Sequence, residues 1–517
     1  MQIVLAGVIA CLLVWNGQAP PDFTGSHLGY HDVRRDKAGE LLPWFADDPA
    51  ASYDHVIRLT WSFWHGMRRC ENGVPYYLQH QVWKSGQDDP RGLGGDQIPM
   101  ALSSWNLLHA YTGDEAVVAD MRLMADYWLA HGLAPATSAL AGMPYPYNLQ
   151  PHSGRYDGDM RAGPGVLQPD KAGSFGAELL TLYQITGERR YLGAATRIAE
   201  TLASTVREGD EQRSPWPFRV EAATGATATA RPGFGRYDDA RSPPLATEYT
   251  ANWTGTLRLF EGLAALGVKT DQIARAHALS RNWLLQVPLA TNNWGPFFED
   301  IVETSNTAIN ADTMAQYLLE HPEIPNATPD ARRILDWVER TFANRNYGIL
   351  GVVPINEQTA YQQPGNSHTA RHASVELLYA ERTGDWSRKE MQVRRLNWAT
   401  YTVDADGKNK YPGDDIWLTD GYGDYVRHYL RAMASSPDLA PDGQNHLLRS
   451  SSVIQTIEYG ADQIVYRKFD RESTERLKLG AWTPGKVTGG TLRWSAETHV
   501  AEIDARSAIV TIARAPR

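Results

Sequence analysis

The sequence repeats one local pattern, in which an apolar segment with helical periodicity ends at a Thr-Gly or Leu-Gly pair and a second amphipathic segment follows. Glycine just after the last apolar residue favours a left-handed helix C-cap, and Asp or Glu beyond it favours the start of another helix. Each break therefore predicts a helical hairpin. The four breaks are Thr112-Gly113, Thr186-Gly187, Leu266-Gly267 and Thr383-Gly384.

Further helices are predicted between and beside these hairpins, over residues 53–69, 312–320, 329–342 and 422–434. A hairpin cannot bury both of its faces alone, so a series of hairpins spaced roughly 60 to 80 residues apart is expected to close into a ring. The intervening segments are long and rich in Trp, Tyr, Asn and Asp, which disfavours an open solenoid. The sequence thus predicts a mainly α protein, with an α/α toroid of about six to seven hairpins over residues 20–436.

The chain after residue 450 has a different character. Alternating, β-rich runs occur over residues 453–459, 463–469, 491–494 and 509–512, separated by Gly, Pro and Asp. They predict a small C-terminal antiparallel β module over residues 450–517. Because this stretch holds no cluster of reactive side chains, we expect a structural cap or an accessory domain.

The composition limits the class of ligand. The chain has 517 residues, 42% hydrophobic and 21% charged, which is enough for a large core. Several of its 17 tryptophans stand beside Gly, Asn or Asp in expected loops, where they are typical of sugar-binding clefts, although core anchors are the alternative. A net charge of -10 disfavours nucleic acid as a partner. A polyanionic substrate would need a local cluster of Arg, Lys and His.

The N-terminal residues 1–19 form an apolar run followed by a small residue, Ala19, and then Pro20-Pro21. This pattern predicts a signal peptide and a secreted or periplasmic location. No other run is long enough to predict a membrane span. The two cysteines are Cys11 and Cys70, and with one in the leader they predict neither a disulfide framework nor a cysteine metal site.

The segments that lead into the inner helices of a toroid converge on one rim of its central cavity. Here these entrance segments hold most of the polar and aromatic residues. Each Asp, Ser, Thr or Asn in them also fits an ordinary helix N-cap, but the same residue types recur at equivalent positions, which indicates a site. The entrance segments are residues 94–97, 168–171, 247–253, 292–295, 305–312, 365–372 and 414–425.

Two histidines make the strongest single signal. His368 and His372 are four residues apart at a predicted helix start and share one face, with Arg371 beside them. The spacing fits a pair of zinc ligands, but the glutamate of an HExxH motif is absent. A general base or a group that binds a substrate carboxylate is the favoured role, with capping or core packing as the alternative. We predict neither a metal nor another cofactor.

The phrase from Asp170 to Gly176, with Leu182 to Gly187 and Tyr191-Leu192 after it, resembles the hairpins of the six-hairpin glycosidase and α/α-toroid polysaccharide lyase superfamily. The resemblance extends over roughly residues 50–435 and implies a carbohydrate-active enzyme with one of two chemistries. Hydrolases of this type use two carboxylates. Lyases hold the carboxylate of a uronic acid with Asn, His or Arg, and move a proton with Tyr or His.

The mixture of His, Arg, Asn and Tyr favours a polysaccharide lyase that cleaves a uronic-acid-containing glycan by β-elimination, because the C5 proton becomes acidic only when donors hold the carboxylate charge. Tyr422 is predicted as the proton shuttle. His368 and Asn310 are predicted to hold the carboxylate, aided by Arg371 or His372. Residues predicted to bind the sugar, chiefly by stacking of their rings, are Trp253, Asn252, Tyr249, Trp294 and Tyr425. Tyr425 is also the alternative phenol, and Asn306 the alternative amide.

A glycoside hydrolase with a carboxylate pair is the alternative function. Its candidate residues are Asp312, Asp420, Asp424, Glu299 and Asp300. A toroid that isomerises or epimerises a sugar, and a noncatalytic glycan-binding protein, are two further classes. In each case the expected partner is a polysaccharide or an oligosaccharide.

Overall fold

The computed structural model describes residues 25–67, 75–79, 83–84, 87–88, 95, 97–150, 153–230, 245–297, 305–360, 362–409 and 422–516. The predicted signal peptide at residues 1–19 lies outside this part of the chain. The helices found in it are α1 Pro49–His65, α2 Tyr76–Gln79, α3 Gln97–Thr112, α4 Glu115–His131, α5 Pro169–Thr186, α6 Arg189–Thr205, α7 Thr254–Ala265, α8 Asp271–Thr291, α9 Ala308–Glu320, α10 Ala327–Phe342, α11 Asn366–Thr383, α12 Lys389–Thr400 and α13 Tyr422–Ser435.

Six of these helices form a closed inner ring. Helices α3, α5, α7, α9, α11 and α13 pack side by side in this order, and α13 packs back on α3. Helices α1, α4, α6, α8, α10 and α12 pack outside them. The predicted α/α toroid is therefore confirmed, with six inner and six outer helices among the described residues.

The two rings differ in how their helices are buried. The buried residues of the outer helix α10 recur every three or four positions and form one face, as Ala331, Ile334, Leu335 and Val338 do. In the inner helix α11, by contrast, every residue from Asn366 to Leu378 is buried. An inner helix packs on its neighbours and on the outer ring, so its polar side chains can point only towards the centre or into ion pairs.

The glycine breaks form as the sequence predicts. Gly187 ends α5 with φ 74° and Gly384 ends α11 with φ 78°, and their N–H groups donate to the carbonyls of Tyr183 and Ala380. A left-handed residue at this position is far less strained as glycine than as any residue with a Cβ atom. The breaks at Gly113 and Gly267 also have positive φ.

In the described residues, ten short strands lie before α1 or between the helices of the toroid, and they pair in two-stranded antiparallel ladders. They are β1 His27–Leu28, β2 His31–Asp32, β3 Trp83–Lys84, β4 Gln87–Asp88, β5 Gly158–Asp159, β6 Gly163–Pro164, β7 Val166–Leu167, β8 Val220–Glu221, β9 Thr229–Ala230 and β10 Leu245–Ala246. Two short 3-10 helices occur at Arg345–Leu350 and Pro437–Leu439. No helix in the described ranges has the length and apolar character needed to cross a membrane.

The C-terminal strands form two four-stranded antiparallel sheets with orders β11-β14-β17-β16 and β12-β13-β18-β15. Side chains such as Ile464, Leu477 and Ile503 fill a separate core, as in a β-sandwich. The predicted β module is confirmed. Its strands are β11 Asn445–Ser450, β12 Ile454–Tyr459, β13 Gln463–Lys468, β14 Ser473–Leu479, β15 Pro484–Thr488, β16 Gly490–Ser495, β17 Val500–Ala505 and β18 Ile509–Arg514.

The β-sandwich covers the C-terminal ends of several inner helices. The hydroxyl of Tyr459 donates to the carbonyl of Ala110 at the end of α3, across 2.6 Å, and Gln455 donates to the carbonyl of Gln184 near the end of α5, across 2.8 Å. Arg476 donates to the carbonyl of Ala434 in α13 across 2.7 Å. These bonds satisfy carbonyls at helix ends, some of which have no partner inside their own helix.

Candidate active site in the central cavity

A cavity of about 80 Å³ lies inside the inner ring, and all six inner helices line it. Helical spacing explains which side chains reach it. Ser174 and Glu178 are four residues apart on α5, and Arg427 and Arg431 are four apart on α13, so each pair shares one helix face. The charged residues that line the cavity are Lys171, Glu178, Arg258, Arg371, Arg427 and Arg431.

Close packing of α5 against α7 forms one wall of the cavity. A Cβ atom on Gly173 would lie 2.0 Å from Thr256 Oγ1, and one on Gly255 would lie 2.3 Å from Ser174 Oγ. Two glycines facing each other's helix therefore let the backbones approach closely. This contact fixes the rotation of α5, and with it the direction in which its polar face points.

Asp424 binds two of the arginines. Its carboxylate accepts from Arg371 across 2.5 Å, ion-pairs with Arg427 and accepts from the hydroxyl of Ser367. Burial alone would raise its pKa, but Arg371, Arg427 and His428 outweigh burial and hold the pKa of Asp424 well below its usual range. Asp424 is therefore ionised and fully used in binding these cations.

Two further carboxylates are also held by cations. Lys171 Nζ donates to Asp170 across 2.9 Å, and the amide of Asn252 donates to the same carboxylate across 2.8 Å. Arg258 donates to Glu320 across 2.6 Å, which links α7 to the end of α9. Both carboxylates are therefore engaged by neighbouring donors.

Arg431 differs from the other cations of the cavity. It donates to the amide oxygen of Gln316 across 3.2 Å, and no carboxylate of the described residues lies within ion-pair distance of its guanidinium. Burial and the neighbouring Arg427 lower the pKa of Arg431 to about 9, while Glu320 opposes the shift. A buried guanidinium that has no ion pair among the described residues is able to bind an anion.

Glu178 is the one carboxyl group among the charged residues that line the described cavity. Burial raises the pKa of Glu178 to about 7, against the opposing effect of Arg427, Arg431 and Arg258. None of the described residues makes a hydrogen bond or an ion pair with it. It is therefore a carboxyl that changes its charge near neutral pH inside a cationic cavity, which is typical of an acid–base group.

Of the predicted site residues whose side chains the structure describes, Arg371 and Asn252 line this cavity. Asn310 is buried, and its amide donates to the carbonyls of Trp294 and Pro296 across 2.9 and 3.2 Å. It fixes the segment before α9 and does not line the cavity. The predicted role of Asn310 in holding a substrate carboxylate therefore differs from its observed contacts.

The two predicted histidines do not act together on the cavity. His368 Nε2 lies 3.2 Å from Glu357 Oε1, and the side chain is 4% exposed. His372 lies between Asp312 of the inner helix α9, at 2.9 Å, and Glu339 of the outer helix α10, at 3.2 Å. Burial lowers its pKa, but the two carboxylates outweigh burial and raise the pKa of His372 to about 9. His372 is therefore a cation inside a structural ion-pair network.

This network contains the one described group of side chains with the spacing of metal ligands. The ligand atoms of Glu339, His372 and Glu376 all lie within 4.8 Å of one another. Arg395 pairs with Glu339 and Arg332 with Glu376, each at 2.6 Å. Because arginines already neutralise both carboxylates and His372 is protonated, this set does not fit a divalent cation.

The structure corrects the prediction that Trp253 and Trp294 stack on a sugar. Trp253 and Trp294 are 0% exposed, so neither ring offers a face to a ligand. The indole of Trp253 donates to the carbonyl of Thr250 across 2.7 Å, and its ring packs on Trp216. These tryptophans stand where helices and loops meet, and they fill the core there.

The predicted tyrosines are not in the cavity lining either. The hydroxyl of Tyr249 donates to the carbonyl of Asn293 across 2.6 Å. Tyr425 is fully buried, and its hydroxyl donates to the carbonyl of Ala399 across 3.2 Å, on the outer side of α13. Tyr422 begins α13, but its side chain lies outside the described residues.

The carboxylate pair of the alternative hydrolase is not assembled from the described candidates. Asp312 is 0% exposed and bound to His372, and Asp424 is bound to two arginines. The other predicted carboxylates, Glu299, Asp300 and Asp420, lie outside the described residues.

Four residues of the cavity were missed from the sequence, namely Glu178, Arg258, Arg427 and Arg431. All lie inside the inner helices, two to seven residues beyond the entrance segments. The spacing of Arg427 and Arg431 could have placed them on one face of a helix. Nothing in the sequence could distinguish that face from a solvated one.

Comparisons with known proteins agree with this architecture. A sugar epimerase from a ruminal bacterium is 12% identical with a TM-score of 0.53, covering 75% of this chain and 98% of its own. Cellobiose 2-epimerase from Spirochaeta thermophila is 14% identical with a TM-score of 0.53, covering 75% of this chain and 96% of its own. A D-mannose isomerase is 10% identical with a TM-score of 0.51, covering 74% of this chain and 97% of its own. No protein-family model matches the chain, and no curated protein is detectably similar. The likeness confirms the toroid fold that the resemblance in sequence implies.

Proposed function

We propose that this chain is a carbohydrate-active enzyme that binds a uronic-acid-containing glycan in the central cavity and cleaves it by β-elimination. The observation that carries the proposal is the group of cations around Glu178, in which Arg431 has no carboxylate partner among the described residues. The names of the structural neighbours, two sugar epimerases and a mannose isomerase, support a sugar as the ligand. A polymeric substrate also fits the exported location that the N-terminal segment predicts.

The charges of the cavity favour an acidic sugar. Five cations line it, whereas three neighbouring carboxylates, Asp170, Glu320 and Asp424, neutralise part of their charge. Among the described residues the surplus is positive even when Glu178 is ionised, although the whole chain has a net charge of -10. This is the local cationic cluster that a polyanionic substrate requires. A guanidinium can hold a carboxylate through two parallel hydrogen bonds, which would orient a uronate ring as well as bind it.

The same charges favour elimination over hydrolysis. When cations hold the uronate carboxylate, they stabilise the negative charge that develops as the C5 proton leaves. In this proposal Arg431 and its neighbours bind the substrate carboxylate, which is the role that the sequence predicts for Asn310, His368 and His372. Arg371 assists in this binding, as the sequence predicts. The role of Tyr422 as a proton shuttle stays a prediction from the sequence.

Hydrolysis is the second candidate, because a carboxyl with a raised pKa also suits the general acid of a glycosidase. That mechanism needs a second, free carboxylate across the cavity. Apart from Glu178, the described carboxylates near the cavity, Asp170, Glu320 and Asp424, are each held by a cation, which favours elimination.

A panel of polysaccharides tests the proposal. Each uronate polymer is paired with its carboxyl-reduced form, which keeps the linkage and loses the charge. We expect the enzyme to release an unsaturated uronate, detected by its ultraviolet absorbance, from at least one acidic polymer and none from the reduced partner. Reducing ends without that absorbance would assign the hydrolase, and equal cleavage of both forms would contradict the role of the cations.

A further inference from the structure

We propose that Glu178 is the catalytic base, the group that removes the C5 proton of the uronate bound in the central cavity. The inference rests on the proposed function and deepens it, because it assigns the proton transfer to a residue of α5 that the sequence did not single out. Its first support is position, since Glu178 faces the space that all six inner helices enclose.

Charged groups on four other inner helices line the cavity or pair with residues that line it. Arg258 of α7 and Arg427 and Arg431 of α13 act on it directly. Glu320 of α9 pairs with Arg258, and Arg371 of α11 pairs with Asp424. Helix α3 contributes Pro99 and Met100, and on α5 itself Lys171 is bound to Asp170. A uronate carboxylate attracted by these guanidinium groups would be held next to the Glu178 carboxyl.

Among the described carboxyl groups around the cavity, Glu178 is the one without an ion pair. Asp170, Glu320 and Asp424 each bind a cation at 2.9 Å or less, whereas no described residue binds Glu178. A base must have a free lone pair within reach of the proton it takes. Burial raises the pKa of Glu178 to about 7, so near neutral pH it is partly ionised and basic enough to accept a proton from carbon.

The reaction balances without a co-reactant. The ionised Glu178 accepts the C5 proton, the electron pair of the C–H bond forms the double bond between C4 and C5, and the C4–O bond breaks. The leaving oxygen takes a proton from water, and the hydroxide so formed takes the proton from Glu178. The products are an unsaturated uronate and a new hydroxyl group.

The test compares Glu178→Gln and Glu178→Asp with wild type on an acidic polymer that the wild type cleaves. We expect Glu178→Gln to lower kcat by about 10²- to 10⁴-fold, the range of general acid–base catalysis, while KM changes by less than about threefold. In wild type kcat/KM should rise with pH through about 7, because the ionised form is the base. Glu178→Asp should keep that rise at a lower rate. The matched control is Glu200→Gln, an exposed glutamate on the outer helix α6.

The outcomes separate this inference from the proposed function. If wild type forms unsaturated product and Glu178→Gln keeps its rate and the rise with pH, the function stands and the base is another group. A rate that falls as the pH rises through about 7 would make Glu178 an acid and overturn the inference. Wild type that forms no unsaturated product from any uronate polymer would overturn the proposed function itself. Thermal unfolding of each variant shows whether a lost rate reflects a lost fold.

Discussion

Arg371 of α11 donates to the carboxylate of Asp424 of α13 across 2.5 Å, and both side chains are 2% exposed. Asp424 also binds Arg427, so one carboxylate holds two guanidinium groups of the cavity wall. The cationic surface that we propose to bind a uronate is therefore positioned by an ion-pair network that joins neighbouring inner helices.

Asp424→Asn should destabilise the fold. The amide cannot neutralise Arg371 and Arg427, which would be left as buried cations without a partner, at a cost of about 3–5 kcal/mol. The free energy of unfolding from denaturant titration measures the effect. Asp126→Asn, which removes a more exposed ion pair with Arg190, is the control and should cost less than about 1 kcal/mol. Equal, small losses in both variants would show that Asp424 does not carry the network.

His372 should make stability depend on pH in the alkaline range. Its folded-state pKa of about 9 lies above the value near 6.5 of an unfolded histidine, so its contribution is fully present below about pH 6.5. That contribution is lost as the pH rises through 9. We expect wild type to lose on the order of 3 kcal/mol more than His372→Gln across this window. Unfolding titrations at several pH values measure the difference, and parallel profiles for the two proteins would contradict the ion-pair network. His131→Gln, at an exposed position on α4, is the control.

Arg431→Gln should weaken binding of an acidic substrate. The lost charge-assisted contact predicts a KM about 10- to 100-fold higher, with the larger effect at low salt. Because Arg431 lowers the pKa of Glu178, its removal should also move the rise of kcat/KM to higher pH. Arg431→Lys keeps the charge and should recover part of both effects. An unchanged KM would show that Arg431 does not bind the substrate.

Tyr422→Phe tests the phenol that the sequence predicts. Loss of one hydroxyl should lower kcat by about 10²-fold or more if this group passes a proton to the leaving oxygen, with little change in folding or in KM. Tyr425→Phe is the matched control, because Tyr425 is buried against Ala399 outside the cavity and should affect stability more than turnover. A normal kcat for Tyr422→Phe would leave proton donation to water or to another side chain.

The fold was readable from the sequence because its signals are local. Thr-Gly and Leu-Gly breaks mark the ends of α3, α5, α7 and α11, and apolar periodicity marks the helices beside them. In the β module, four strands were predicted from their β-rich runs. Strand β14, Ser473–Leu479, carries Arg476 and Lys478 on one face and places a buried Glu475 beside the core leucines on the other, so its sequence lacks a clear apolar alternation.

The residues of the candidate site are much harder to predict from the sequence than the fold. Glu178 in the cavity and Glu200 on the surface look alike in the sequence, since each lies within a helix among apolar residues. Packing of Gly173 and Gly255 between α5 and α7 decides which face of α5 points inwards, and that contact joins distant parts of the chain. The same limit explains Trp253 and Trp294, which resemble ligand platforms in sequence and are core residues in the structure.

Mass spectrometry of the fragments from one defined uronate oligosaccharide tests the central claim most directly. Elimination adds no atoms, so the masses of the two fragments should sum to the mass of the substrate, and the fragment with the double bond should carry the uronate. Fragments that sum to the substrate plus one water would contradict elimination and assign hydrolysis. A substrate recovered only at its original mass would contradict cleavage altogether.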